Sequence, residues 1–263
     1  MRRAALDRRH GAAVVLREAL DGLHQMLRGR GAVPPEEWSR RWLEGLERLR
    51  REQWAMGALQ NLAQELIAST GSLGGARRLA RVVRRWSRRV EEESRGIRRR
   101  WASRLPSRAH LLTFSWSSAV ESLLTPPRVR PRIEEIGVSV SDPGGEGRGL
   151  YRRLRSAGLP VRLLPDRKAR EAVQAGTLVL LGADTLYADG TLLHKVGTRA
   201  LATAAKRAGA RVISVSGTSK RVAAPAPRFR RRGLFETTPP SLVDEYWTER
   251  GAWRPAARAS RKV

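Results

Sequence analysis

Along the first hundred residues, apolar positions recur every three or four places. Between Ala12 and Leu27 they fall at Val15, Leu16, Ala19, Leu20, Leu23 and Leu27, the stripe of a helix that buries one side. Pro34-Pro35-Glu36-Glu37 marks a second helix start, with proline in the first turn and acids beside the N-terminal dipole. Trp38, Trp42, Leu46 and Leu49 carry its stripe. A third helix is predicted over Trp54–Ile67, ended by Ser69-Thr70-Gly71-Ser72. A fourth, Ala76–Trp101, is long and basic, with Leu79, Val82, Val83, Trp86, Val90 and Ile97 on its buried side. Most of the eight Trp occupy such stripe positions, so they read as packing residues rather than platforms for stacked bases.

From His110 the period changes. Short apolar, often β-branched runs at His110–Phe114, Ile136–Val140, Val161–Leu164, Leu178–Leu181 and Arg211–Val215 predict strands. Helical segments at Ser117–Leu124, Gly147–Ala157, Arg167–Gln174 and Lys195–Ala208 lie between them. This alternation predicts βαβ units with right-handed crossovers and a mainly parallel sheet. The fold class is therefore α/β: a helical N-terminal domain over residues 1–108, then a sheet domain over 109–263. Asp189-Gly190 reads as a tight turn. Residues 222–232 read as an exposed loop, and the last dozen as a frayed end.

Composition narrows the chemistry. A chain of 263 residues with 41% apolar positions can build a real core. With no Cys, a disulfide scaffold, a thiolate zinc site and a cysteine nucleophile are excluded. His10, His24, His110 and His194 stand at no metal-ligand spacing, and no metal or other cofactor is expected. No apolar run approaches the roughly 20 residues of a membrane span, and the N-terminal stretch has no signal-peptide pattern. A soluble, cytoplasmic protein without membrane contact is the expectation.

The formal charge is +27, and the Arg excess is spread over both halves rather than gathered in a tail. Its sharpest clusters, Arg98–Arg100 and Arg228–Arg232, suggest non-specific contact with RNA. The even spread suits solvated faces and a habit of Arg in place of Lys better.

In an open parallel sheet, ligands bind beyond the carboxyl ends of the strands. After the first predicted strand come Ser115, Ser117 and Ser118, and after the second Ser141-Asp142-Pro143-Gly144-Gly145. Asp166 follows the third, Gly182-Ala183-Asp184 the fourth, and Ser216-Gly217-Thr218-Ser219-Lys220 the fifth. Hydroxyls, carboxylates and helix N-termini on one edge suit a phosphate or a polyol. Ser118 and Asp166 read first as helix N-caps. No GxGxxG, GxxxxGK[ST] or GxSxG is present, which argues against a nicotinamide site, a P-loop and a hydrolase elbow.

Several strings then resemble one known family: LLTFSWSSAV, GLPVRLLPD, the GADxxxADGxxxxKxGT pattern from Gly182 to Thr198, and the TPPxLxDxYxTERG pattern from Thr238 to Gly251. They are similar to the alpha, beta and delta subunits of eukaryotic initiation factor 2B and to the related methylthioribose-1-phosphate and ribose-1,5-bisphosphate isomerases. The N-terminal half matches more loosely, through Asp7, Gly11-Ala12 and Met56–Leu62. The resemblance implies a helical N-terminal domain, a Rossmann-like C-terminal domain and a homodimer joined through the C-terminal halves. The apolar pairs Leu234-Phe235 and Tyr246-Trp247 are the expected contact.

For the isomerases the resemblance implies two catalytic groups, a Cys after the first strand and the Asp of the GAD motif. Here they fall on Ser115 and Asp184. A hydroxyl is a far poorer proton donor than a thiol. The family's Arg after the second strand becomes Asp142, within Val140-Ser141-Asp142-Pro143, and a carboxylate repels phosphate. His194 stands where the family carries Asn, and Arg167 could restore one positive charge. Arg9, Gly11, Ser117, Ser118, Ser141, Arg148, His194, Lys195, Gly197 and Thr198 are the expected ligand contacts. The favoured reading is a non-catalytic family member with a pocket for a sugar phosphate or nucleotide; the alternative is an aldose–ketose isomerase. His194 reads first as a partly exposed loop residue.

Overall fold

The computed structural model describes residues 4–5, 11–29, 35–70 and 75–254. Four helices come first: α1 (Ala12–Arg28), α2 (Pro35–Glu52), α3 (Gly57–Ala68) and α4 (Gly75–Trp101). Their apolar stripes meet in one core that includes Val15, Leu23, Trp42, Leu46, Leu59, Leu62 and Val83. Trp38 and Trp42 stack there with ring centres 5.1 Å apart. α3 starts at Gly57 rather than at Trp54, because residues 53–55 form a turn that Gln53 closes with Met56. No helix among the described residues is long and apolar enough to cross a membrane.

The main sheet uses β1 (Ala109–Phe114), β2 (Ile133–Ser139), β3 (Val161–Leu164), β4 (Leu178–Leu181), β7 (Arg211–Val215), β11 (Glu245–Trp247) and β12 (Ala252–Trp253). Their order is β12-β11-β7-β4-β1-β2-β3. Every neighbouring pair is parallel except β11 with β12. All four residues of β4 are buried, which is why Leu178-Val179-Leu180-Leu181 shows no polar alternation. Helices α5 (Ser118–Leu124) and α6 (Gly147–Ser156) and the end of α4 cover one face through Val120, Leu150, Ile97 and Trp101. Helices α7 (Asp166–Glu171) and α8 (Thr198–Arg207) lie toward the other. Leu201 of α8 packs there with Leu112, Leu181, Leu186 and Leu192. The fold is thus a helical region followed by a mainly parallel α/β sheet with Rossmann-like strand order.

A second sheet was absent from the sequence reading. It joins β5 (Thr185–Tyr187), β6 (Leu192–Lys195), β8 (Arg221–Val222), β9 (Arg231–Arg232) and β10 (Phe235–Thr238) in the order β8-β5-β6-β10-β9. It corrects three expectations. Lys195 ends a strand and does not begin a helix, so α8 starts at Thr198. His194 is buried in β6, not a partly exposed loop residue. The 222–232 stretch begins in β8 and ends in β9.

A fourth correction concerns Tyr246 and Trp247. Both are buried, because β11 inserts them into the main sheet. Tyr246 stacks on Trp253 and Trp247 on Trp101, at 3.9 and 4.6 Å. They offer no exposed patch to a partner.

The helical region is stitched onto the carboxyl edge of the sheet. Asn61 Nδ2 donates to the carbonyls of Ser219 and Arg221, and Thr185 Oγ1 donates to that of Ala55. Trp101 Nε1 donates to the Thr248 carbonyl at 2.7 Å.

Candidate functional site

Strand order reverses between β1 and β4, the point at which ligands enter open α/β sheets. Ser115 follows β1 and Gly182-Ala183-Asp184 follows β4. The two connections approach so closely that a Cβ on Gly182 would lie 2.4 Å from Ser117 Oγ, so only glycine fits there. Ser115 holds a left-handed backbone with φ of 61°, uncommon for serine. Ser117, not Ser118, caps α5, its Oγ accepting from the Val120 N–H.

These residues line a narrow cleft of about 50 Å³ with Gly11, the first turn of α1, His194, Lys195, Thr198 and Lys220. The cleft adjoins a chamber of about 300 Å³ that shares Gly11, Ser115, Trp116, Asp184 and Lys195 and adds Trp54, Glu146, Leu234 and Phe235.

Burial pushes the Asp184 carboxyl above its usual range. Lys220, Lys195 and the Ala12 N–H oppose that shift, while Glu146 adds to it. Burial pulls the Lys220 ammonium down, against Asp184 and Glu93, and its Nζ donates to the Ala183 carbonyl at 2.6 Å. Lys195 Nζ lies 2.5 Å from Glu146 Oε1. Burial also lowers His194 to about 4. Its Nε2 and Nδ1 sit 2.7 Å from Thr238 Oγ1 and 3.1 Å from the Lys195 carbonyl. Two carboxylates, two ammonium groups and a neutral imidazole therefore share the site.

Of the residues singled out from sequence, Gly11, Ser115, Ser117, Ser118, Asp184, His194, Lys195 and Thr198 line one cleft. Others lie apart. Arg148 is exposed on the first turn of α6 and lines neither space. The Gly197 N–H is engaged by Glu236 Oε1 at 2.8 Å, as is that of Arg199, so a side chain already occupies the start of α8. Ser141 is buried outside the cleft, its N–H donating to Asp166 Oδ1. Asp166 does not cap α7; it also accepts from Ser139 Oγ and the Asp142 N–H, pinning the loop after β2. Arg167 pairs with Glu171 on its own helix and restores no charge to the cleft. Arg9 lies outside the described residues. Glu146 and Lys220 were not among the predicted contacts, although Lys220 was visible after the fifth predicted strand.

Residues 10–225 match the sequence profile of the Initiation factor 2 subunit family. The chain belongs to this family. A member in Archaeoglobus fulgidus named ribose 1,5-bisphosphate isomerase is 28% identical over 201 residues, covering 68% of this chain and 63% of that protein. The chain thus spans less than two thirds of the length of that curated relative. Among solved structures, the translation initiation factor eIF-2B of Pyrococcus horikoshii OT3 superposes with a TM-score of 0.83 at 23% identity, covering 97% of this chain and 95% of that one. The tetrameric eIF2B-beta2-delta2 complex from C. thermophilum gives 0.79 at 21% identity, covering 94% and 88%. These two likenesses are of fold.

Proposed function

We propose that this Initiation factor 2 subunit family member holds a sugar phosphate or a nucleotide in the cleft and does not isomerise it. The carrying observation is that the group sharing the cleft with Asp184 at the end of β1 is the Ser115 hydroxyl, not a thiol. Aldose–ketose interconversion needs a proton donor and acceptor of matched pKa, each contributing typically ~10²–10⁴-fold. A serine hydroxyl supplies little of that at neutral pH. Ligand binding is supported by the N-terminus of α1, a 17-residue helix that opens onto the cleft beside Lys220 and Ser117, with its Ala12 N–H also serving the Asp184 carboxyl.

Conversion of ribose 1,5-bisphosphate and 5-methylthioribose 1-phosphate, followed by NMR at millimolar substrate, is expected to be undetectable. Turnover near ~1 s⁻¹, the low end of ordinary enzyme rates, would overturn the non-catalytic reading. A thermal-shift screen of ribose phosphates and nucleotides should find a binder; at 100-fold excess over Kd it adds about 2.7 kcal/mol.

The isomerase reading draws on one specific observation. The raised pKa of Asp184 describes a carboxyl able to hold and return a proton. If it is right, Asp184→Asn abolishes turnover and Ser115→Cys changes it little.

The same reading includes a homodimer joined through the C-terminal half. Exposed Leu234, at the rim of the chamber, remains as its apolar anchor. Sedimentation of a 29.3 kDa species at micromolar concentration would end that proposal. RNA is held at most through phosphates, by exposed arginines such as Arg77, Arg81, Arg84 and Arg88 on α4. Its affinity should then fall steeply and linearly with log salt, whatever the sequence.

A further inference from the structure

Glu146 stands just before α6 yet makes no side-chain cap for it. Its side chain is only 10% exposed. One oxygen, Oε1, meets Lys195; the other, Oε2, is buried with no hydrogen-bond partner among the described residues. The carboxylate lines the chamber with Ser115, Asp184 and Lys195.

The loop that presents it is fixed by other means. Asp166 accepts from Ser139 Oγ, the Ser141 N–H and the Asp142 N–H. The Gly145 N–H donates to the Ser141 carbonyl, and the Gly147 N–H to that of Val140. At Gly144 a Cβ would fall 2.5 Å from both Glu146 oxygens, so the glycine leaves room for the carboxylate. A buried polar atom without a partner is costly, and protein interiors rarely keep one unless something else completes it.

Resting on the reading that the cleft holds a sugar phosphate, we propose that Glu146 sets its specificity. Oε2 accepts a hydrogen bond from a sugar hydroxyl, and the negative charge excludes a second phosphate from the chamber. Sugar hydroxyls donate; a phosphate near neutral pH brings mainly acceptors and like charge. Lys195, the ammonium facing the chamber, is already matched by Glu146. The rest of the wall joins Trp54, Met56, Trp116, Leu234 and Phe235 to Gln53 and one charge of each sign, Arg51 and Glu52, so it adds no net positive charge for a second phosphate. The single phosphate then lies at the α1 end, and the ligand's uncharged part enters the chamber.

Calorimetric titration of the full chain with ribose 1-phosphate, ribose 5-phosphate and ribose 1,5-bisphosphate tests this. The wild type should bind one monophosphate at least tenfold more tightly than the bisphosphate. Glu146→Gln, whose amide can donate to phosphate, should narrow or reverse that ratio at least tenfold. Glu146→Asp, which keeps the charge but withdraws it, should weaken monophosphate binding at least tenfold and still reject the bisphosphate. Equal binding of mono- and bisphosphate by the wild type, or an unchanged ratio in Glu146→Gln, overturns the proposal. If Glu146→Gln does not fold, Glu146→Asp with undiminished monophosphate affinity overturns it by itself. Wild type that binds none of the three sugars sinks the sugar-phosphate reading itself, and this proposal with it.

Discussion

Two buried acidic clusters lie at the carboxyl edge of the main sheet, and they are completed differently. In the loop after β7, Glu93 of α4 accepts from the Ser219 N–H and Oγ, both at 2.7 Å. Beside it Glu249 accepts from the Thr218 N–H at 3.1 Å and from its Oγ1 at 2.5 Å. Burial raises the Glu93 carboxyl, with the Glu249 charge adding to the shift, but both oxygens are occupied. In the loop after β2, Ser141 Oγ and Glu146 Oε2 are also buried and have no partner among the described residues. One cluster fastens the helices to the sheet; the other leaves bonds for something else to make. A buried carboxylate stands in each, and completeness of its hydrogen bonding is what separates these two loops.

The largest expected effect uses His194, whose ring nitrogens both have partners. Its folded pKa of about 4 lies below the ordinary 6.5, so the unfolded chain takes up the proton first. The stability it contributes is complete above pH 6.5 and lost as pH falls toward 4, about 3 kcal/mol in all. Asp184 and Glu93 have raised values and shift stability the other way, so the comparison must be with His194→Gln. Urea unfolding of both proteins at pH 7 and pH 4 should show the wild type losing about 3 kcal/mol more than the variant. Equal losses would remove His194 from the completed class.

Next, Ser219→Ala deletes a hydrogen bond to a buried carboxylate and should cost about 2 kcal/mol in the same assay. The smallest effect belongs to the matched substitution in the other loop. Ser141→Ala removes a buried hydroxyl with no partner among the described residues, and should leave stability unchanged or raise it by about 1 kcal/mol. A cost equal to that of Ser219→Ala would erase the distinction between the loops.

β1, β2, β4 and β7 were legible because buried central strands write nearly continuous apolar runs, and β3, at the edge and only partly buried, still carries Val161, Leu163 and Leu164. The cleft was legible because residues beyond such strands must share an edge. The small sheet was not. Thr185–Tyr187 and Phe235–Thr238 are three and four residues long, too short to show a period. Leu192-Leu193-His194 is too short to show a period, and the helical pattern after it extends back to Lys195, so Lys195 was placed in the wrong element although its part in the cleft was foreseen. Tyr246 and Trp247 looked like a surface patch because β11 is only three residues long and is buried against β7, some thirty residues back in the chain. Glu146 was hidden by Gly144, Gly145 and Gly147, which read as turn residues. The usable signal was a lone carboxylate among glycines just before a helix.

The hydrogen bonds that stitch the helices to the sheet join positions 126 to 160 residues apart: Glu93 to Ser219, Ala55 to Thr185, Trp101 to Thr248, and Asn61 to Ser219 and Arg221. On a ribosome adding about 5–20 residues per second, Asn61 waits on the order of ten seconds or more for its partner to be made. Contacts this distant also slow folding of the finished chain, because the loop must close before it is rewarded. The helices can form early, yet Lys220 reaches the cleft only after β7 has been made. A chain halted before β7 would carry α1, Ser115, Asp184 and Lys195 but lack Lys220. The cleft therefore gains its second ammonium group, and α3 its anchor on Ser219, only once the loop after β7 is in place.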